Sequence, residues 1–301
     1  MKTFKPLVIV LLGPTASGKT DLAIEIAKTI KVDIHNVDSR QLYKGMDIST
    51  AKPTTKQQKQ IKHFLLDLAE PNNPITLNEF KKTAEASLKK VLTKQKTGFL
   101  VGGSGLYLKA LTSGLCPPAV SPQLELRKIL HEIGQIECHQ ILQKCDPIAW
   151  KKISPKDSIR TIRALEVVFA TGNQISSLKS SKAPNWNLLE LGINPKNLNE
   201  RIDKRTKHLF NNGLIEETAS LCKKYGSDIS LLQTIGYKEA LKVIKGEIGL
   251  DEAIAITSQR TKKFAKRQKT WFRSQHHPKW LNEKNSLEEA LCLIQNVIGL
   301  S

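Results

Sequence analysis

A glycine-rich segment has the residue types needed to hold a phosphate chain. Gly13, Gly18, Lys19 and Thr20 match the P-loop pattern G-x4-G-K-[ST] in full. Glycines let the backbone N–H groups turn toward phosphate oxygens, and the dipole of the following helix stabilises negative charge. The lysine adds a point charge, and the threonine hydroxyl can ligate Mg²⁺. We therefore predict a diphosphate- or triphosphate-binding site, as in nucleotide-binding proteins, formed by Gly13, Pro14, Thr15, Ala16, Ser17, Gly18, Lys19 and Thr20.

Two other polar segments follow apolar runs that read as strands. Asp38 comes directly after residues 32–37, and a Gly-Gly-Ser-Gly turn at 102–105 follows residues 98–101. An aspartate at the carboxyl end of a strand beside a phosphate site can act as a general base, ligate Mg²⁺ through water, or cap the next helix. The glycines permit close approach of a ligand, although a plain strand-to-helix turn explains them nearly as well.

The elements that must position these residues alternate between strands and helices. Short apolar runs predict strands at 7–12, 32–37, 64–68 and 98–101, and a strand-like run returns at 188–193. Helical periodicity predicts helices over 21–31 and 77–95. This alternation predicts an α/β fold with a parallel sheet, helices on both faces, and ligands at the carboxyl ends of the strands.

Prolines interrupt the alternation from about residue 112. Pro117, Pro118 and Pro122 break the rhythm, and the following residues from 124 to 163 offer helical patterns with no convincing strand. We therefore predict a P-loop-containing core made of residues 1–115 and 188–301, interrupted by an inserted helical domain of residues 116–187.

The charge indicates a polyanionic partner. The chain has 47 Lys+Arg against 28 Asp+Glu, and 47 − 28 gives a formal charge of +19. A surface this positive attracts nucleic acid or phosphorylated substrates, although a lysine-rich proteome would also explain it. Residues 260–273 hold seven basic residues and no acidic one, interleaved with Phe264, Trp271 and Phe272. Single-stranded RNA binding needs this mixture, but a solvated basic helix with its aromatic residues in the core is the common alternative.

Membrane and secreted classes are disfavoured. The longest uninterrupted apolar run, 7–12, is far shorter than the roughly 20 residues that a membrane span needs. The five cysteines contain no CxxC pair, which argues against a disulfide framework or a zinc ribbon. We therefore predict a cytoplasmic protein with no membrane partner.

Six blocks of sequence resemble one known family. Residues 13–20, 38–53, 101–107, 157–166, 235–239 and 265–273 are similar, in the same order, to the bacterial tRNA dimethylallyltransferases of the IPP transferase family. The resemblance implies a P-loop-NTPase-like core with an inserted helical domain, Mg²⁺ as cofactor and a monomeric state. It also implies transfer of a dimethylallyl group from dimethylallyl diphosphate to N6 of adenosine 37, in tRNAs that read codons beginning with U.

The same resemblance assigns roles to residues. Asp38 is implied as the general base for the N6 proton, while Lys19 and Thr20 stabilise the leaving diphosphate, with Mg²⁺ on Thr20. The implied tRNA contacts comprise Asp38, Ser39, Arg40, Gln41, Ser104, Arg127, Ile159, Arg160, Thr161, Ile162, Arg163, Gln233, Thr234, Ile235, Gly236, Tyr237, Lys238, Lys266, Arg267, Gln268, Lys269, Thr270, Trp271, Phe272 and Arg273.

Three residues differ from the family pattern, and alternatives remain for one residue role and for the function. Ser104 stands where the family commonly has threonine, and Gln233 and Lys238 stand where it often has arginine. Neither Gln233 nor Lys238 has the planar guanidinium that makes bidentate phosphate or base contacts. A structural ion pair is the alternative role for Arg163. A small-molecule kinase that uses ATP, or a non-catalytic RNA-binding protein, would also account for part of the sequence.

Overall fold

The computed structural model describes residues 5–178 and 180–299. Its strands are numbered in chain order: β1 (Leu7–Leu12), β2 (Ile34–Val37), β3 (His63–Phe64), β4 (Thr97–Gly102), β5 (Leu115–Cys116), β6 (Ser180–Ser181), β7 (Asn187–Gly192) and β8 (Lys279–Trp280).

Helices outnumber strands in the part of the chain that the structure describes. They are α1 (Lys19–Ile30), α2 (Thr55–Gln58), α3 (Leu77–Gln95), α4 (Gly105–Thr112), α5 (Leu124–Ile133), α6 (Gln135–Cys145), α7 (Pro147–Lys152), α8 (Ser158–Thr171), α9 (Ile175–Leu178), α10 (Leu198–Asn211), α11 (Leu214–Tyr225), α12 (Tyr237–Ile244), α13 (Leu250–Gln275) and α14 (Ser286–Gly299). A 3₁₀ turn, Ser230–Gln233, precedes α12.

The described residues divide into two compact units. The first runs up to Thr112 and resumes at Pro184, and the second comprises Ser113–Ala183. The predicted insertion covered residues 116–187. The second unit therefore starts three residues earlier than predicted and ends four residues earlier than predicted. The two-residue strands β5 and β6 pair antiparallel near the two ends of this unit. This pairing places Leu115, which was predicted to belong to the core, in the second unit.

A six-stranded sheet forms the centre of the first unit. Its order is β3-β2-β4-β1-β7-β8, and every pairing in it is parallel, as the alternation of strands and helices predicts. β1 is buried on both faces: Ile9 and Leu11 pack with α1 and α14, whereas Val8 and Val10 pack with α3 and α4. Because the strands are parallel, the segments after β1, β2, β4 and β7 emerge at the same edge.

The element bounds agree with the predictions where the apolar pattern is long. The strand at 7–12 and the helix at 77–95 are confirmed at both ends. The third strand, predicted at 64–68, is wrong in extent, because β3 covers only His63–Phe64. Leu65 and Asp67 have φ angles of 65° and 52°, and this left-handed backbone cannot continue a strand.

The second unit has its own core, built from α5 to α9. Leu130, Cys138, Leu142, Leu165 and Val167 are buried together in it. Among residues 5–178 and 180–299, no helix is both long and apolar enough to span a bilayer.

Candidate active site

The P-loop connects β1 to α1 and curls around the Lys19 side chain. Ala16 and Gly18 have φ angles of 61° and 86°, so the backbone turns sharply just before the helix begins. Lys19 is the first residue of α1, and its Nζ donates hydrogen bonds to the Pro14 carbonyl at 2.6 Å and the Ser17 hydroxyl at 3.4 Å. The ammonium thus lies over the loop, where a phosphate would meet it.

Two arginines from the distant helix α10 reach the same loop. Arg205 Nη1 donates to Thr15 Oγ1 at 3.1 Å, and Arg201 Nη1 donates to the Ser17 carbonyl at 3.5 Å. Neither arginine was predicted as a site residue. Their spacing of one helical turn is visible in the sequence, but the pairing of β7 with β1, which brings α10 to the P-loop, is known only from the structure.

Asp38 follows β2 and completes a cluster of three charges. Its Oδ1 accepts a hydrogen bond from the Arg40 N–H at 2.9 Å. Burial lowers the pKa of Lys19 to about 7; Asp38 opposes that shift and Arg205 reinforces it. Burial also lowers the pKa of Arg205, again opposed by Asp38. Lys19, Arg205 and Asp38 therefore influence one another electrostatically, and the excess of positive charge favours a bound anion.

The turn after β4 packs tightly against protein. A Cβ at Gly102 would lie 2.0 Å from the Val37 carbonyl oxygen, and a Cβ at Gly105 would lie 2.1 Å from Trp271 Cδ1. Close packing therefore explains both glycines. Ser104 Oγ accepts from the Ser39 N–H at 2.9 Å, which ties this turn to the segment after β2.

Helix α13 presents one basic face and one buried face. Lys266, Arg267, Thr270 and Arg273 are exposed, and Lys269 and Trp271 are partly exposed. An open groove of about 470 Å³ runs along this face, lined by Lys263, Lys266, Arg267, Thr270, Trp271 and Ser274. Its three basic residues and one aromatic ring suit a single-stranded polyanion.

The opposite face of α13 corrects two predicted RNA contacts. Phe272 is fully buried in the main core, and Gln268 is 7 % exposed, with its carboxamide bonded inside the protein. These side chains therefore do not lie on a surface that RNA could reach.

A second correction concerns Gly236 and Tyr237. Tyr237 is buried and donates to Glu217 Oε1 at 2.6 Å, and Glu217 in turn accepts from the Ile48 N–H at 2.9 Å. Gly236 is buried too, and a Cβ there would lie 2.3 Å from Ser49 Oγ, which donates to the Ile235 carbonyl. The motif thus holds the segment after β2 in place, rather than offering these side chains to RNA.

The remaining predicted contacts beside these segments differ in exposure. Arg40 and Gln233 are exposed, whereas Thr234 and Lys238 are half-buried. The Gln41 amide donates to the carbonyls of residues 50 and 51, which closes the segment after β2 into a loop.

In the second unit, Arg127 and Arg163 share the buried carboxylate of Glu166. Arg127 Nε lies 2.7 Å from Glu166 Oε1, and Arg163 pairs with the other oxygen. Burial raises the pKa of Glu166, but hydrogen bonds from Arg127, Gln123 and Arg163 outweigh it and hold the pKa at about 2. The structural ion pair expected as the alternative for Arg163 is therefore present.

The neighbouring predicted contacts on α8 divide by exposure. Thr161 and Ile162 are buried, which corrects their prediction as RNA contacts. Ile159 is 80 % exposed, and Arg160 is also exposed. The exposed side chains at this end of the helix therefore include one apolar and one basic residue, and Arg160 Nε lies 3.4 Å from Asp157 Oδ2.

Comparison with known proteins decides the family. The family model described as IPP transferase matches residues 41–275, well over half of the chain. This chain belongs to the IPP transferase family. The matched residues begin after the P-loop and Asp38, but full-length relatives cover both. A tRNA dimethylallyltransferase from Prochlorococcus marinus is 73 % identical over 299 residues, which are 99 % of this chain and 100 % of the relative.

Solved structures of IPP transferases have the same architecture. A tRNA delta(2)-isopentenylpyrophosphate transferase from Staphylococcus epidermidis is 34 % identical with a TM-score of 0.70, covering 99 % of this chain and 100 % of that one. A eukaryotic dimethylallyltransferase acting on tRNA gives a TM-score of 0.80 at 24 % identity, covering 97 % of this chain and 79 % of that one. The second likeness concerns the fold alone. The expected P-loop-like parallel core is confirmed.

Proposed function

We propose that this protein is a tRNA dimethylallyltransferase, which transfers a dimethylallyl group from dimethylallyl diphosphate to N6 of an adenosine in tRNA. The observation that carries the proposal is the P-loop site, where Lys19 bonds back onto the loop, Arg205 bonds to Thr15, and Asp38 follows β2 at the same edge of the sheet. A leaving diphosphate needs the cations, and an amine that is alkylated needs the base. The names of the full-length relatives support the same reaction.

Lys19 and Arg205 would stabilise the leaving diphosphate. As the N6 lone pair forms a bond to C1 of the prenyl group, the C1–O bond breaks and its electron pair leaves with the diphosphate. Negative charge therefore grows on the oxygens beside the P-loop. Lys19, Arg205 and the loop N–H groups are fixed before the reaction, so they stabilise this charge without reorganising.

The carboxylate side would accept the proton. The alkylated nitrogen carries positive charge until a proton leaves, and Asp38 is the candidate base. The hydrogen bond from the Arg40 N–H engages Oδ1, which orients the carboxylate. Its location next to the two cations would bring the acceptor nitrogen close to the prenyl carbon.

Mg²⁺ is the proposed cofactor. Thr20 is the second residue of α1 and is half-buried, and its hydroxyl offers the kind of oxygen ligand that Mg²⁺ prefers. Because Mg²⁺ keeps several waters and binds phosphate oxygens, one protein ligand is sufficient for a phosphate-bound ion. When bound, the ion would neutralise part of the charge on the diphosphate.

The basic face of α13 and the exposed Arg40 are the proposed RNA surface of the first unit. In the second unit, the exposed Ile159 and Arg160 are proposed as separate RNA contacts. Adenosine in an unpaired loop is cheap to extract from its stack, so it can reach Asp38 without melting a duplex. We assign the target as adenosine 37 of tRNAs reading codons that begin with U, and we propose a cytoplasmic monomer.

Direct transfer of label tests the function. Purified protein is incubated with unmodified tRNA and dimethylallyl diphosphate labelled in the prenyl group, and a parallel reaction contains ATP instead. We expect label in the tRNA and N6-prenyladenosine after nuclease digestion and mass spectrometry. The matched control is the same tRNA with guanosine at position 37. ATP turnover without prenyl transfer would contradict the proposal and favour a kinase.

A further inference from the structure

Gln268 joins the two turns that surround Lys19. Its Oε1 accepts a hydrogen bond from the Thr15 N–H at 2.9 Å, and its Nε2 donates to the Gly103 carbonyl at 2.8 Å. Thr15 belongs to the P-loop, and Gly103 to the turn after β4. A Cβ built on Gly103 would lie 3.8 Å from Lys19 Nζ, so the bridge forms part of the wall beside the ammonium.

We propose that Gln268 is a positioning residue for the prenyl diphosphate, although it lies on the helix whose other face is the proposed RNA surface. This inference rests on the proposed function. The carboxamide engages backbone atoms on both sides, so its action on substrate passes through them. By holding Thr15 against Gly103, it sets the spacing between the P-loop and the neighbouring turn, and hence the width of the diphosphate cradle.

The hydrogen-bonding groups explain why this position needs an amide. The Thr15 N–H can only donate and the Gly103 carbonyl can only accept, so the bridging side chain must offer both an acceptor and a donor. Glutamate has two acceptors at neutral pH, and methionine has no strong donor or acceptor. Asparagine has both groups but is one methylene shorter.

Other contacts of α13 follow the same strip of helix. Trp271 packs against Gly105, where a Cβ would lie 2.1 Å from the indole ring. Just past the end of the helix, His276 Nε2 lies 3.4 Å from the Gly105 carbonyl and its Nδ1 pairs with Glu190 at 2.7 Å. Trp271 and His276 therefore contact the turn after β4, whereas Gln268 contacts both that turn and the P-loop.

We expect substitutions at two neighbouring residues to affect different ligands. Gln268→Met keeps the side-chain length and removes both hydrogen bonds, whereas Arg267→Met alters the exposed face of the same helical turn. If the full effect of two neutral hydrogen bonds reaches the ligand, their loss should raise the Kd for inorganic diphosphate and the KM for dimethylallyl diphosphate by about 5- to 150-fold. Arg267→Met should weaken tRNA binding and leave the Kd for diphosphate unchanged.

The experiment measures both ligands on each full-length variant. Diphosphate binding is followed by calorimetry, tRNA binding by fluorescence anisotropy, and prenyl transfer by initial rates at saturating tRNA. Gln268→Glu should impair diphosphate binding at least as much as Gln268→Met, because its charge lies beside the Gly103 carbonyl and the diphosphate. Thermal unfolding checks each variant, and Gln268→Asn replaces Gln268→Met if the latter does not fold.

Two results would overturn the inference. One is a Kd for diphosphate and a KM for the donor that both stay within about twofold of wild type in Gln268→Met, a change too small for two lost hydrogen bonds. The other is a loss of tRNA affinity in Gln268→Met as large as in Arg267→Met, with diphosphate binding intact. A wild-type chain that binds no diphosphate would overturn the proposed function and this role together.

Discussion

Arg205 donates a hydrogen bond to the Thr15 hydroxyl at 3.1 Å, across 190 positions of sequence. The contact arises because β7 pairs with β1, so α10, which follows β7, begins near the P-loop. The diphosphate cradle is therefore built from two parts of the chain that lie on either side of the second unit in sequence.

Removing this guanidinium should weaken diphosphate binding. We expect Arg205→Gln to raise the Kd for inorganic diphosphate by about 10- to 100-fold, the range for a hydrogen bond to a charged group. Lys207→Gln is the matched control, because Lys207 is exposed on the same helix. Calorimetry measures both. Equal affinities for the two variants would contradict the assignment of Arg205 to the cradle.

Asp38 is expected to act on rate rather than on affinity. Asp38→Asn keeps the size of the side chain and removes the base, so we expect turnover to fall by about 10²- to 10⁴-fold. The Kd for tRNA should change little. Single-turnover transfer and tRNA anisotropy provide the two readouts, and a variant with wild-type turnover would show that another group takes the proton.

Binding of diphosphate should take up a proton through Lys19 above neutral pH. Burial lowers the pKa of Lys19 to about 7, so the free protein holds it largely neutral at about pH 8 and charged at about pH 6. A bound anion favours the ammonium form and raises this pKa, so uptake should be larger at the higher pH. Calorimetry in buffers of different ionisation enthalpy measures it.

Lys19→Met corrects that measurement for protons that belong to the diphosphate itself. The difference between wild type and variant should vanish toward the lower pH. A difference that is the same at both pH values would refute a lowered pKa.

Glu166 should stabilise the second unit in a pH-dependent way. Its pKa is held at about 2, below the usual 4.5, so its contribution is fully present above pH 4.5 and is lost as the pH falls toward 2. Glu166→Gln leaves Arg127 and Arg163 without their carboxylate, and we expect a loss of about 2–4 kcal/mol. Hydrogen exchange of peptides from 113–183 measures the loss. Exchange that changes equally with pH in wild type and variant would contradict it.

Salt should separate the two substrates. RNA binding through many phosphates releases counterions, so tRNA affinity should fall steeply between about 50 and 200 mM salt. Diphosphate contacts only a few charged groups within the P-loop site, so its affinity should fall less with salt. Titrations at several salt concentrations compare the slopes of log Kd. Matching slopes would indicate that the +19 charge is not concentrated on an RNA surface.

Local sequence patterns predicted the parallel sheet and the part of the site formed by the P-loop and Asp38. The apolar run at 7–12 specifies a strand buried on both faces, and Lys19 and Asp38 follow strands whose ends meet at one edge. These features depend on neighbours in sequence, which is why spacing alone was sufficient to find them.

Contacts between distant segments were not predictable in the same way. Arg205 and Gln268 look like ordinary helical residues until the sheet order brings their helices to the P-loop. Tyr237 and Phe272 lie inside motifs that resemble RNA contacts, yet both are buried. A shared motif indicates that a residue matters, but burial decides whether it touches RNA or supports a residue that does.

The pairing of β1 with β7 has a consequence for how the chain folds. Leu7 of β1 lies opposite Asn187 of β7. During synthesis, β1 therefore cannot pair on this edge until β7 has left the ribosome, 180 residues later. Until then one edge of an apolar strand stays unpaired, and closing so long a loop is slow. We expect the second unit, whose contacts are local, to acquire structure first, with the complete phosphate cradle among the last parts to form.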